Sequence, residues 1–273
     1  MWRMIKEIAH LGLLEDAAIT LDLAALQLSA LDHPGVDIAP YAAMLQEIAE
    51  QLQARGRAAR TPREQADALS EVLGGDFGFE GDRATYDDPA NADLIDVLER
   101  RRGLPVSLSI LYVAAARRLG WEAYALNTPG HVLVRIGPET SPLLVDPFAG
   151  GSLVESSQLA GLLAYALGEG TAPSSEHLAP MSNRSVLVRL LMNQATRAEA
   201  AEDHARARML YERMTEVAPG NGHGWWERAR LELAEGSVAE ARASLSAVLE
   251  VTRDPILRAH VMSALDALAG SGG

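Results

Sequence analysis

The 273-residue sequence contains no cysteine. Disulfides, thiolate metal sites, iron–sulfur clusters and cysteine nucleophiles are thereby excluded for the unmodified chain. Positive charge is also short: 24 basic residues face 37 acidic ones, a net charge of −13. Such a balance argues against a general electrostatic hold on nucleic acid or on an anionic membrane. Long apolar runs are missing as well. The best stretch, Leu13 to Leu31, is interrupted by Glu15, Asp16 and Asp22, whereas insertion needs about 20 mostly apolar residues. The start, Met1 to His10, carries Arg3, Lys6 and Glu7 ahead of no uninterrupted apolar core, which makes a poor signal peptide. These features predict a cytoplasmic protein with neither membrane nor nucleic acid as partner. What is present, 48% hydrophobic and 22% charged residues, is ordinary globular composition. The length suits one large domain or two smaller ones.

Helical signals dominate the first hundred residues. Leu13 to Ala30 is apolar on most faces and predicts a buried helix, ended by Asp32-His33-Pro34-Gly35. Asp37 offers a cap for a second helix, with Tyr41, Leu45, Ile48 and Leu52 along one stripe. Thr61-Pro62-Arg63-Glu64 predicts a capping box, and its helix is expected to stop at Gly74-Gly75. A polar loop, Asp76 to Asn91, precedes a short helix that ends in Arg100-Arg101-Arg102, read as a solvated helix end. Pro105 to Leu119 is the most apolar helix of the chain, with proline in its first turn.

From Trp121 the periodicity changes from helical to alternating. Trp121 to Leu126, Gly130 to Ile136 and Leu143 to Asp146 predict antiparallel strands, the last two joined by a turn at Gly137 to Pro142. Ser156 to Leu167 is helical again, and Gly168 to Pro180 reads as a connector. After Ser182 everything is helical and repeats at an offset of 34 residues. Leu191 matches Trp225, Ala195 matches Ala229, Ala207 matches Ala241, Tyr211 matches Leu245 and Val217 matches Val251. A 34-residue period with small residues at helix crossings is the tetratricopeptide signature.

Two residues carry candidate chemistry. His131 opens one strand and Asp146 closes the next. On antiparallel neighbours they can lie side by side, so that the carboxylate fixes the imidazole tautomer and prepares a general base. The same spacing also fits a polar pair that closes a sheet end. Asp87-Asp88 reads as a helix cap or a cation ligand, Gly74-Gly75 and Gly150-Gly151 as turns, His33 as a turn residue, and His204 and His223 as surface positions.

Four strings then form a set: Asp87-Asp88-Pro89-Ala90-Asn91, Val97 through Ser109 with Gly103-Leu104-Pro105 at its centre, Pro129-Gly130-His131-Val132-Leu133-Val134-Arg135, and Val145-Asp146-Pro147-Phe148-Ala149-Gly150-Gly151. In order and spacing they resemble the bacterial SirB-type family, a transglutaminase-like domain followed by tetratricopeptide repeats. The resemblance covers about residues 10 to 265. It implies an α+β architecture: a papain-like domain with a small antiparallel sheet over residues 1–178 (helical lobe 1–102, core helix and strands 103–151), helical repeats over 179–268 and a disordered tail at 269–273. It also implies that His131 and Asp146 stand where the wider superfamily keeps its catalytic histidine and aspartate. The superfamily's cysteine should open the helix that ends at Leu119-Gly120, and the position falls at or near Pro105. The SirB-type pattern itself reads Gly-Ile/Leu-Pro there, so thiol-based transglutaminase or protease activity does not carry over.

Ser107 and Ser109 lie in the first turns of the same helix. A serine nucleophile needs its base within roughly 3 Å. Ser107 is about 200° around the helix from Pro105, which predicts packing and not attack. The chain is therefore expected to be a non-catalytic module that binds a protein or peptide through a repeat groove and the His131 pocket, with no cofactor and no metal. The alternative is a hydrolase or acyltransferase on peptide or amide substrates, using a His131–Asp146 base with a serine or water nucleophile.

Overall fold

A computed structural model describes residues 8–168 and 174–270. The chain divides into two compact units. One is Asp16–Leu187, and the other joins the start of the chain, up to Glu15, with everything from Val188 onward. The division falls within a helix.

The predicted buried helix over Leu13 to Ala30 is in fact broken. Helix α1 (Ala9–Leu13) ends before a single 3₁₀ turn at Asp16–Ala18, and α2 (Leu21–Ala30) begins afresh. The break follows from charge. Asp16 is held by the backbone N–H groups of Asn183 and Arg184, each 2.9 Å away, and so cannot ride on a continuous apolar helix. In the Asp16–Leu187 unit α2 is followed by α3 (Ala39–Arg55) and α4 (Pro62–Leu69), the latter opened by the expected Thr61–Glu64 capping box. The helix after Thr61 does not stop at the glycine pair. It widens into a π-helical turn over Ser70–Asp76. Gly74 there packs on the Gly150 backbone, where a Cβ would lie within 2.3 Å of the Gly150 carbonyl oxygen, and Ser70 donates to that carbonyl at 2.9 Å.

The loop that follows is not bare. Strand β1 (Glu80–Gly81) pairs in parallel with β2 (Arg102–Gly103), on either side of α5 (Leu94–Arg100). This pairing corrects the reading of the three arginines. Arg100 binds Asp82 and Asp88 at 3.0 and 3.4 Å, and Arg102 binds Glu80 at 2.6 Å. Arg101, in the left-handed region at φ 58°, lays its guanidinium over Phe79 and Phe77. Together they tie the helix end to the 77–88 loop, and none is fully solvated.

Helix α6 (Pro105–Arg118) is the spine, with every side chain from Pro105 to Ala116 buried. At its far end Arg118 pairs with the buried Asp22 at 2.5 Å. Against α6 stands one antiparallel sheet in sequential order: β3 (Ala123–Ala125), β4 (Val134–Ile136), β5 (Leu143–Asp146) and β6 (Ser152–Leu153). Ala123, Ala125, Val134, Ile136 and Val145 are all buried. Tyr124, Arg135 and Leu144 line up across the opposite face. The outer edge of β3 is extended by the segment near Pro180, which bridges to Leu126. Helix α7 (Ser156–Leu167) has the predicted bounds. Part of the predicted connector, residues 169–173, lies outside the described residues, as do residues 1–7.

The other unit is helical throughout: α1, then α8 (Asn183–Ala200) from Val188 on, α9 (His204–Val217), α10 (Gly222–Ala234), α11 (Val238–Val251) and α12 (Pro255–Gly270). Helices α9 and α11 start and end 34 residues apart, as the repeat demands. The small residues predicted at crossings, Ala195, Ala207, Ala229 and Ala241, are all sealed from solvent. Of the tail expected at 269–273, residues 271–273 lie outside the described residues.

Candidate functional site

The site is built where β5 ends. Asp146 is its last residue, and Pro147 forces the chain into a 3₁₀ turn, Pro147–Ala149. The Asp146 carboxylate caps that turn, Oδ1 accepting the Phe148 N–H at 2.9 Å. The same oxygen lies 2.9 Å from His131 Nε2. A carboxylate oxygen only accepts, so Nε2 carries the proton and a neutral ring has its lone pair on Nδ1. Both side chains are largely buried, with 14% and 16% of their surface exposed.

His131 does not open a strand, as the alternation predicts. It sits in the bend after Pro129-Gly130, and β4 starts only at Val134. Gly130 adopts φ 68°, a left-handed turn residue, and the chain straightens only beyond it. The β4–β5 register ends at Val134 opposite Val145, so Asp146 lies one step beyond it and His131 reaches the carboxylate from outside the ladder.

The start of α6 lies alongside. Ser109 Oγ is 2.7 Å from the Pro105 carbonyl and 3.3 Å from that of Val132, the neighbour of His131. Ser107 is fully buried and gives its hydroxyl hydrogen to the Asn91 carbonyl at 2.8 Å. The structure thus brings His131 and Asp146 together and directs Ser107 elsewhere.

The aromatic and basic surroundings of the site carried no sequence signal, although Phe148 itself lies in one of the motif strings. Phe148 meets the His131 ring edge-on, with centroids 5.9 Å apart, and Tyr86 meets Phe148 in the same way at 5.8 Å. The Arg83 guanidinium lies 5.3 Å over the Phe148 ring. Gly81 also presses on the ring: a Cβ there would be 2.4 Å from it. All of this rests on the β1–β2 pairing, which holds the 82–88 loop over Phe148. Within that loop Asp82 is held at a pKa of about 2 by hydrogen bonds from the Thr85 hydroxyl and backbone. Beneath the site, Tyr112 on α6 is buried with its hydroxyl lacking a hydrogen-bond partner among the described residues, and burial together with the charge of Asp146 pushes its pKa well up.

Of the remaining candidates, Asp88 caps the Pro89–Ala92 turn through Ala90 N–H. Gly150 and Gly151, at φ 66° and 81°, form the turn predicted for them. His33 does more than occupy a turn. It lies 3.2 Å from Asp93 Oδ1, and with Asp96 the three can bring ligand atoms within 4.8 Å of one another. Asp93 is already committed as the cap of α5, accepting from Ile95 and Asp96 N–H and from the Ser29 hydroxyl, which fits a structural cluster.

A buried helix whose N-terminus lies beside a histidine in the bend before β4 and an aspartate at the end of β5 is the arrangement expected of a transglutaminase-like domain. The family profile described as "Transglutaminase-like superfamily" matches residues 39–192, and that of the tetratricopeptide repeat matches residues 198–265. The chain belongs to the transglutaminase-like superfamily and carries tetratricopeptide repeats behind that domain. Among curated proteins it is similar to a UPF0162 protein of Xylella fastidiosa, 29% identical over 245 residues, 88% of this chain and 87% of the relative. A UPF0162 protein of Vibrio cholerae is 29% identical over 133 residues, 48% of this chain and 49% of the relative. F-box only protein 21 of Homo sapiens is 41% identical over 69 residues, 25% of this chain and 11% of that protein. No helix among the described residues is long and apolar enough to cross a membrane.

Proposed function

We propose that the chain is a catalytically silent transglutaminase-like module that binds protein or peptide ligands in the cytoplasm and serves a regulatory role. The transglutaminase-like and repeat domains support a protein-binding role, since stacked helix pairs create concave surfaces suited to extended partners. One observation carries the finer reading. At the start of α6 the first helical residue is Pro105, and Ser107 spends its hydroxyl on Asn91. The site keeps a histidine, a carboxylate and a helix N-terminus, while the two serines at that helix start, Ser107 and Ser109, give their hydroxyl hydrogens to backbone carbonyls. Such a site holds a polar or acidic group through hydrogen bonds and leaves its bonds intact.

A library of short peptides incubated with the full chain provides the test. Peptides retained on the protein are expected to be recovered intact, and to be retained less in His131→Ala. Retention of none, or recovery of cleaved products, would count against the proposal.

The intact 2.9 Å His131–Asp146 pair supports a second reading, in which water attacks an amide or ester with His131 as base. It predicts slow turnover that depends on His131 and is indifferent to Ser107.

A further inference from the structure

The face of the sheet turned away from α6 holds a cavity of about 600 Å³, within the size range of small-molecule sites. It is separate from the His131–Asp146 site, and its lining is mixed: Leu126 and Leu144 from the sheet, Leu153 from the β6 edge, Leu159 from α7 and Pro180 from the segment beside β3 supply apolar wall, among charged residues. One cation stands in this lining without an anion. Arg135 is the middle residue of β4, and its guanidinium stacks over the Tyr124 ring 4.8 Å away. Its Nε is sealed from solvent with no acceptor, and among the described residues no carboxylate or carbonyl takes a hydrogen bond from it. The other lining arginine, Arg63, is spent on Asp67 at 3.1 Å. Glu155, at the cavity's α7 end, is spent on capping that helix.

The sealed Nε is a desolvation cost that no acceptor among the described residues offsets, and no carboxylate among them pairs with the terminal nitrogens, which leaves those nitrogens available to an anion. Its planar fork matches a carboxylate in a bidentate contact. Its position on a paired strand fixes where that carboxylate must sit, with apolar wall on either side. We propose that this cavity is a binding site for a small monocarboxylic acid with an apolar chain. The carboxylate bridges the terminal nitrogens of Arg135, and the chain lies along Leu144, Leu153 and Leu159. Glu139, at the rim, disfavours a second negative charge on the ligand.

Titration calorimetry with octanoate on the full chain tests this, with octanol and octylamine as matched controls. Octanoate is expected to bind at least about tenfold more tightly than either, and Arg135→Gln is expected to abolish that preference. Should Arg135→Gln fail to fold, Leu159→Trp, which fills the α7 side of the cavity and leaves the arginine in place, is expected to weaken octanoate about tenfold or more. Equal binding of octanoate and octanol, no octanoate binding at millimolar concentration, or affinity unchanged in either folded variant would overturn the proposal. So would binding of an apolar peptide's free C-terminus with no binding of octanoate.

Discussion

His131 and Asp146 were legible as a pair because a short turn joins two segments that must be neighbours, although His131 itself stands in the bend before β4. The hydrogen bond between them is 2.9 Å long. Phe148 lies in a quoted string, but nothing in its spacing announces that Tyr86, Arg83 and Gly81 will gather around its ring. Those contacts depend on β1 meeting β2 across about twenty residues, and two-residue strands leave no periodicity to read. Asp146 serves both His131 and the Phe148 N–H, so its removal strands two buried donors. Asp146→Ala should lower stability by about 1–3 kcal/mol in urea denaturation, with Asp146→Asn less affected because one acceptor oxygen survives. Asp82 carries a pH signature. The Thr85 hydrogen bonds hold its pKa at about 2, below the ordinary 3.8. Its ionised form is thus favoured by folding. That stabilisation is complete above the unfolded value and is lost as pH falls from about 4 toward 2. Melting temperatures measured across this range should drop less steeply in Asp82→Asn than in the unsubstituted protein. An equal slope in both would show that the Thr85 contacts contribute nothing.

At the scale of elements, the long helices were readable wherever one face is buried and one is wet. The α4 capping box and the bounds of α7 came directly from local sequence. Failures mark places where a non-local partner overrides local preference. The Leu13–Ala30 stretch looks uniformly helical, yet the hydrogen bonds from 183 and 184 onto Asp16 fix a 3₁₀ turn in its midst. The helix after Thr61 should have ended at glycine, yet it continues as a π turn because the bare glycine backbone is needed against Gly150. Gly151 makes the same point on the other side of the site. It has φ 81°, and a Cβ there would stand 2.6 Å from the Tyr112 hydroxyl. Gly151→Ala combines a left-handed backbone cost of about 1–2 kcal/mol with overpacking of about 1–3 kcal/mol. A fall in the urea midpoint equivalent to at least about 2 kcal/mol is expected. Gly150→Ala, with a similar φ but open space beyond it, should cost only the backbone share.

For the whole molecule, the change of period at Trp121 and the 34-residue repeat were enough to separate a mixed α/β part from an all-helical one. The repeat was readable because a crossing of two helices admits only small residues, so alanine recurs at fixed spacing. Ala241, with none of its surface exposed, lies in α11, which packs on α10. Ala241→Leu should therefore destabilise the repeats by about 1–3 kcal/mol, seen as a lowered melting transition with the 121–146 sheet signals unchanged in the NMR spectrum. The pairing of a protein-binding repeat with a superfamily pocket that lacks its thiol is what the functional account rests on. A broad screen of amide and ester hydrolysis, run on the unsubstituted chain beside Ser107→Ala and His131→Ala, tests it most directly. The account predicts product release no faster than the buffer blank in all three. Release well above that blank and abolished in folded His131→Ala, whether or not Ser107→Ala also abolishes it, would contradict it and make the chain a hydrolase.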